Sequence, residues 1–207
     1  MNSDFLPWKT YPSLTQECLS IVADELRKAR NGTLRLYDPV GGDTPWSHGC
    51  RAYVRQKHAV CEAAKRYDWL TILPDIESLR FTFAIGGIPI RFYRGAPDEI
   101  PDHYLQRTFA EIRQLQLVLI EGARTADRIL RMAIETNAEG EIAQISLVEL
   151  DDAGKPLNTY LIPAVAPESN VIPAQTRTIE LGPLELEPIE MAEPSSKKEA
   201  RAKKIHG

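Results

Sequence analysis

The chain is expected to be α+β: an antiparallel sheet, built from a hairpin and a meander, packed against about three helices and followed by an extended C-terminal tail. Three observations predict this. Apolar residues recur at helical spacing over 13–30, 44–67 and 101–121, but alternate at period two over 79–93 and from 130 to 162. Gly86-Gly87 separates the first two alternating runs as a tight hairpin turn would. Fourteen of the fifteen aromatic residues lie at or before Phe109, and none follows Tyr160. Prolines instead recur at 167, 173, 183, 188 and 194. The boundary therefore falls near Pro163. Residues 1–163 are expected to form one globular domain, and 164–207 a flexible Pro/Glu-rich tail that ends in a basic segment.

Each element has a local reason. Residues 13–30 form a helix with Leu14, Cys18, Ile21, Val22, Leu26 and Ala29 on one stripe. Ser13 and Gln16 make a capping-box pattern at its start, and Asn31-Gly32 supplies the stop. After a loop with Gly41-Gly42, Thr44-Pro45 opens a second helix, because proline is tolerated where its missing N–H would have no partner. Its buried face is expected to be Trp46, Cys50, Tyr53, Val54, Val60, Cys61 and Ala64, with Arg51, Arg55, His58, Glu62 and Lys65 opposite.

Trp69–Leu73 then reads as a short strand, and Leu79–Ile85 and Ile88–Tyr93 as a hairpin. With the turn at Gly86-Gly87, Ile85 faces Ile88, Phe83 faces Ile90 and Phe81 faces Phe92, all on one side. The other side carries Arg80 opposite Tyr93, Thr82 opposite Arg91, and Ala84 opposite Pro89. Pro89 cannot donate to a ladder, so its nitrogen should face an edge or a bulge. Pro101-Asp102 opens a third helix that runs to about Glu121, with Leu105, Phe109, Ile112, Leu115, Leu119 and Ile120 on one face. Alternating runs at 130–134, 142–150 and 157–162, joined by turns at 137–140 and 151–155, make a three-stranded meander. The competing reading has residues 124–135 continue the helix. The sheet is expected to be covered on one face.

Composition bounds the function. The 207 residues carry 25 Lys and Arg against 29 Asp and Glu, a net charge of −4. That argues against bulk attraction to nucleic acid. No run approaches the ~18 apolar residues a membrane span needs, and no basic start followed by an apolar run reads as a secretory signal. Cys18, Cys50 and Cys61 stand 32 and 11 residues apart, neither a zinc-ribbon nor a redox spacing, so a reducing, cytoplasmic setting is expected. His48, Cys50, His58 and Cys61 lie close in sequence, but zinc needs about four converging ligands and these fall on different faces of one helix. No nucleophile elbow, phosphate loop or nuclease carboxylate cluster is present. Neither metal nor cofactor is expected.

What remains is a pattern of arginines. Arg80, Arg91 and Arg94, with Tyr93, decorate the outer face of the hairpin, while Arg51 and Arg55 follow one helix face. Guanidinium forks bind carboxylate or phosphate and stack on rings, so such a face suits an acidic protein or a nucleic acid. The plain alternative is a solvated or helix-covered sheet face. The tail repeats Ile179-Glu180-Leu181, Leu184-Glu185-Leu186 and Ile189-Glu190-Met191, each followed by a proline. Apolar-acid-apolar triplets of this kind can enter a groove or pair with a sheet edge. The chain is thus expected to be a non-enzymatic binding or regulatory protein that acts through protein–protein contacts. Nucleic-acid binding through the arginine face and basic terminus comes second, and a hydrolase whose site assembles only in three dimensions comes third.

Overall fold

The computed structural model describes residues 5–74, 80–120 and 128–164. A single turn, α1 (Pro7–Thr10), precedes two long helices, α2 (Gln16–Leu34) and α3 (Pro45–Ala64). Strands β1 (Leu70–Ile72), β2 (Phe83–Ile85) and β3 (Ile88–Arg94) follow, then α4 (Asp102–Leu105) and α5 (Phe109–Ile120). Strands β4 (Ile129–Thr136), β5 (Ile142–Leu150) and β6 (Pro156–Ile162) close the domain. The expected tail lies outside the described residues but for Ala164, as does Leu79. Among the described residues no helix is long and apolar enough to cross a membrane.

The α+β class holds, with a six-stranded sheet in sequence order β1 to β6. One pairing differs from expectation: β3 and β4 run parallel, with Ile90 beside Leu130 and Phe92 beside Met132. A parallel pair cannot be joined by a tight turn and needs a crossover of a dozen or more residues. The α4–α5 segment supplies it, and so both faces of the sheet are covered, not one. On one face α2 and α3 pack Val22, Leu26 and Val60 over Phe83, Ile90, Phe92, Met132 and Leu147. On the other, Tyr104 of α4 packs with Tyr93, Ile129, Ala133, Val148 and Leu150.

The hairpin register is the expected one over three pairs, Ile85–Ile88, Ala84–Pro89 and Phe83–Ile90. Beyond Phe83 the strand ends, and the Thr82 carbonyl instead accepts from the Leu73 N–H. Residues flanking a two-residue turn exchange hydrogen bonds, and the next pair does not. The missing N–H of Pro89 therefore points away from β2, on the side where pairing with β4 begins only at Ile90. Gly86 has φ +53°, and a Cβ there would lie 2.2 Å from the Ser13 Cβ. The turn glycine thus serves both the backbone conformation and the approach of the segment before α2. The meander is as expected, and residues 129–135 are strand, not helix.

The helices depart from expectation in instructive ways. The cap of α2 is Thr15, whose hydroxyl accepts from the Cys18 N–H, while Ser13 is used at Gly86. The helix also runs through Asn31-Gly32 to Leu34. A mid-helix glycine costs only about 1 kcal/mol relative to alanine, and buried Thr33 holds the last turn by donating to the Arg30 carbonyl. Helix α3 starts as expected, with a reciprocal Thr44–Ser47 capping box and Pro45 in the first turn. Its buried face is rotated, however, to His48, Ala52, Gln56, Val60 and Ala63. Close packing on α2 selects small and hydrogen-bonding side chains, and Gln56 donates to the Leu26 carbonyl there. Trp46, Cys50 and Val54 are exposed in consequence, and Tyr53 and Cys61 are half-buried.

The expected third helix is broken at Gln106–Thr108. Thr108 and Glu111 form a capping box that restarts it, the Glu111 carboxylate accepting from the Thr108 N–H at 2.7 Å and the Thr108 hydroxyl from the Glu111 N–H at 3.2 Å. Arg131 causes the break to persist. Fully buried in β4, it donates to the carbonyls of Tyr104 and Gln106 at 2.7 and 3.0 Å and pairs with Glu111 at 2.6 Å. One guanidinium thus closes the end of α4 and grips the start of α5.

Candidate functional site

The candidate arginines fall into separate environments. Arg91 and Tyr93 do lie on the hairpin face away from α2 and α3, but that face is roofed by α4. Arg91 is 1% exposed. Its guanidinium sits over the Tyr104 ring at 4.4 Å, and its Nη1 donates to the His103 carbonyl at 3.2 Å. Tyr93 packs on the same ring, and its hydroxyl donates to the Ala96 carbonyl at 3.0 Å. Burial, followed by the nearby carboxylates Glu135 and Asp98, raises the Tyr93 hydroxyl well above an ordinary phenol. Neither side chain is placed to touch a large partner.

Arg80 is exposed, and it joins Arg91 at a small cavity of about 80 Å³ lined also by His103, Gln106, Arg107 and Thr108. Arg94 points the other way. Alternation along β3 puts it with Phe92, on the α3 side, at the strand's exposed end. Arg51 is engaged within the fold, forked onto Asp43 at 2.6 and 3.0 Å and donating to the Leu36 carbonyl. The Asp38 N–H, and after it the Arg51 fork, hold the Asp43 carboxyl below the usual carboxylate range. Arg55 is exposed on α3.

Sequence reasoning missed the cleft that Arg94 does enter. Its walls are the outward stripe of α3 (Trp46, Cys50, Tyr53 and Val54), and His103 and Tyr104 lie across from them. Its volume is about 410 Å³. Trp46 is 77% exposed and Val54 60%, whereas Tyr53 tilts onto Phe92 with centroids 5.3 Å apart. Burial, ahead of the Tyr104 hydroxyl, pushes the Tyr53 hydroxyl up to about 12. Periodicity did find this stripe; the error lay in assigning it to the core.

His48 lies on the buried face of α3, its ring 5.2 Å from that of Tyr37. Neither ring nitrogen has a hydrogen-bond partner among the described residues. Burial, then the positive charges of Arg30 and Arg51, with Asp43 opposing and Arg94 adding, lower its pKa. The folded value thus lies below the unfolded value of about 6.5. As pH falls through that value the unfolded chain takes up the proton and the native state resists it, so stability is lost on acidification. Urea midpoints at pH 7.5 and 5.5 should fall more for the wild type than for His48→Gln; equal falls would refute the assignment.

Among the described residues no group of three or more His, Cys, Asp or Glu converges as metal ligands would. Two recognition chemistries are available: an aromatic-apolar cleft with a guanidinium at its rim, and a buried guanidinium facing a small polar cavity. Compared with protein-family models, curated proteins and solved structures, the chain matches none.

Proposed function

We propose that the chain is a binding protein that acts through protein–protein contacts, holding an acidic peptide segment with apolar side chains in the cleft between α3 and α4. The observation that carries this is the outward stripe of α3, where Trp46 and Val54 stand open beside a cleft of about 410 Å³. Tryptophan and arginine are the residues most enriched among interface hot spots, and an apolar cleft with a charged rim orients its ligand. Arg94 in the cleft and exposed Arg55 on the same helix as Trp46 favour carboxylates over basic side chains. The three cysteines, all free, fit a reducing, cytoplasmic setting.

Calorimetric titration with a synthetic peptide of alternating leucine and glutamate tests the proposal. Saturable binding is expected, weakened about thirtyfold by Trp46→Ala, in line with the ~2 kcal/mol of a tryptophan hot spot. Arg94→Gln should weaken it too. Neither variant should move the urea midpoint appreciably, since both positions are exposed. No binding, or binding indifferent to both substitutions, would refute it. Binding of single-stranded RNA instead, falling steeply with salt, would favour the nucleic-acid reading, in which Trp46 stacks on bases.

A further inference from the structure

We propose that the cleft contains a subsite for one glutamate side chain: a small inner cavity where Arg30 and Arg94 receive the carboxylate. The inference rests on the peptide reading above and names the group of the peptide that is recognised. The cavity, of about 60 Å³, is lined by both arginines and by Phe92. Gly49, Tyr53, Arg94 and Tyr104 line both this cavity and the cleft of about 410 Å³, so the small space is the inner end of the large one. Arg30 is 3% exposed. Its Nε donates to the Gly140 carbonyl at 2.9 Å, which anchors the head of the side chain. Its Nη1 and Nη2 have no hydrogen-bond partner among the described residues, yet neither is sealed from accessible space. A buried charge is expensive unless it is paired and hydrogen-bonded. The end of the Arg30 guanidinium is thus a pair of donors that the described fold leaves unused.

Among the described residues the Arg94 side chain has no hydrogen bond, and neither Arg30 nor Arg94 belongs to an ion pair. Burial, and after it the positive charge of Arg94, lower the Arg30 pKa. Two like charges work against each other until an anion stands between them. Guanidinium forks match the two oxygens of a carboxylate. A space so much smaller than the cleft suits the head of one side chain and excludes a whole residue. The course of the stripe decides where that carboxylate comes from. Trp46, Cys50 and Val54 follow one another along α3, and Gly49 and Tyr53, which open onto the cavity, fall within that span. A peptide laid along the stripe therefore crosses the cavity with its middle, and a side chain, not a chain end, enters. Gly49 keeps the entrance open. A Cβ there would meet nothing within 4 Å, so packing does not call for glycine, a poor helix residue.

Calorimetric titration of the whole chain tests this with two end-capped peptides of alternating leucine and glutamine, one of which carries a single central glutamate. The alternating leucine–glutamate peptide serves as reference. The single glutamate should tighten binding roughly tenfold or more over the all-glutamine peptide, the range of a hydrogen bond to a charged group. Gly49→Leu places a good helix former in open space, keeps the fold and fills the entrance. It should bring the ratio of the two affinities to near unity. Arg30→Met should lower the ratio as well, and the test stands on Gly49→Leu even if Arg30→Met does not fold. The ratio is the readout because a general disturbance of the cleft weakens both peptides alike. A wild-type ratio near unity, with the leucine–glutamate peptide still binding, overturns the subsite and leaves the cleft reading intact. A ratio unchanged in Gly49→Leu also overturns it, since charges at the rim would then supply the preference. So does an all-glutamine peptide with an uncapped C-terminus that binds as tightly as the single-glutamate peptide, which would assign the carboxylate to the chain end. Failure of the leucine–glutamate peptide to bind overturns the cleft reading itself, and the subsite with it.

Discussion

Replacing Glu111 with alanine is expected to destabilise the domain by about 3–5 kcal/mol, the usual cost of breaking a buried ion pair by removing one partner. Arg131 is 0% exposed and Glu111 2%. Without the carboxylate, the acceptors left to the Arg131 guanidinium among the described residues are the backbone carbonyls of Tyr104, Gln106 and Leu130. Burial already lowers the Arg131 pKa despite the presence of Glu111, and Arg91 pushes it in the same direction. The substitution also removes the capping-box acceptor of the Thr108 N–H, while the Thr108 hydroxyl keeps its bond from the residue 111 N–H. A double variant, Glu111→Leu with Arg131→Met, should recover part of the loss, since no buried charge is left unpaired, while the Tyr104 and Gln106 carbonyls and the Thr108 N–H still lose these partners. Urea denaturation of the two single variants and the double variant gives the coupling directly. A Glu111→Ala loss below about 1 kcal/mol would contradict the pairing described above.

Phe83→Ala should cost about as much, 3–5 kcal/mol, by a different route. Phe83 is fully buried in β2, paired with Ile72 of β1 and Ile90 of β3, with the Phe81 ring 6.1 Å away. Neighbours held by two ladders cannot easily collapse into the space, so the cavity cost adds to the lost burial. Leu161→Ala, at the exposed position of β6, serves as the control and should change stability by less than about 0.5 kcal/mol. Comparable urea midpoints for the two variants would show that β2 is not part of the core.

Local chemistry made much of the fold legible. Gly86-Gly87 defines a register because only one pairing places Phe83 and Ile85 on the same side as Ile88 and Ile90. Thr44-Pro45 marks a helix start for reasons confined to one turn. Thr108-x-x-Glu111 carried the same kind of signal and was overlooked, because the apolar residues on either side mimic a continuous stripe. Phe109 and Leu115 both lie in α5, six residues and so about 120° apart around the helix, and Phe109 is exposed while Leu115 is buried.

The candidate site was harder to read, because it depends on contacts distant in sequence. Alternation correctly separates Arg91 and Tyr93 from Phe92, yet it cannot say whether their face meets water or a helix. That is decided by residues 101–120 returning over the sheet. Arg131 offered a clue: a charge in the middle of Ile129–Ile134 demands a buried acid, and Glu111 was available. Likewise, periodicity finds the Trp46–Val54 stripe but not that α2 packs on the smaller neighbouring face of α3.

The parallel joining of β3 to β4 has a consequence for what the chain can lose. The remaining neighbouring strands are antiparallel, so their links can be trimmed toward short turns without altering the topology. The link after Arg94 cannot, because its two ends lie at opposite ends of the sheet and the chain must travel back along the full strand length. A covering segment over Arg91 and Arg131 is therefore an obligation of connectivity. The roof over these two arginines is the part of this domain that no shortening of loops can remove.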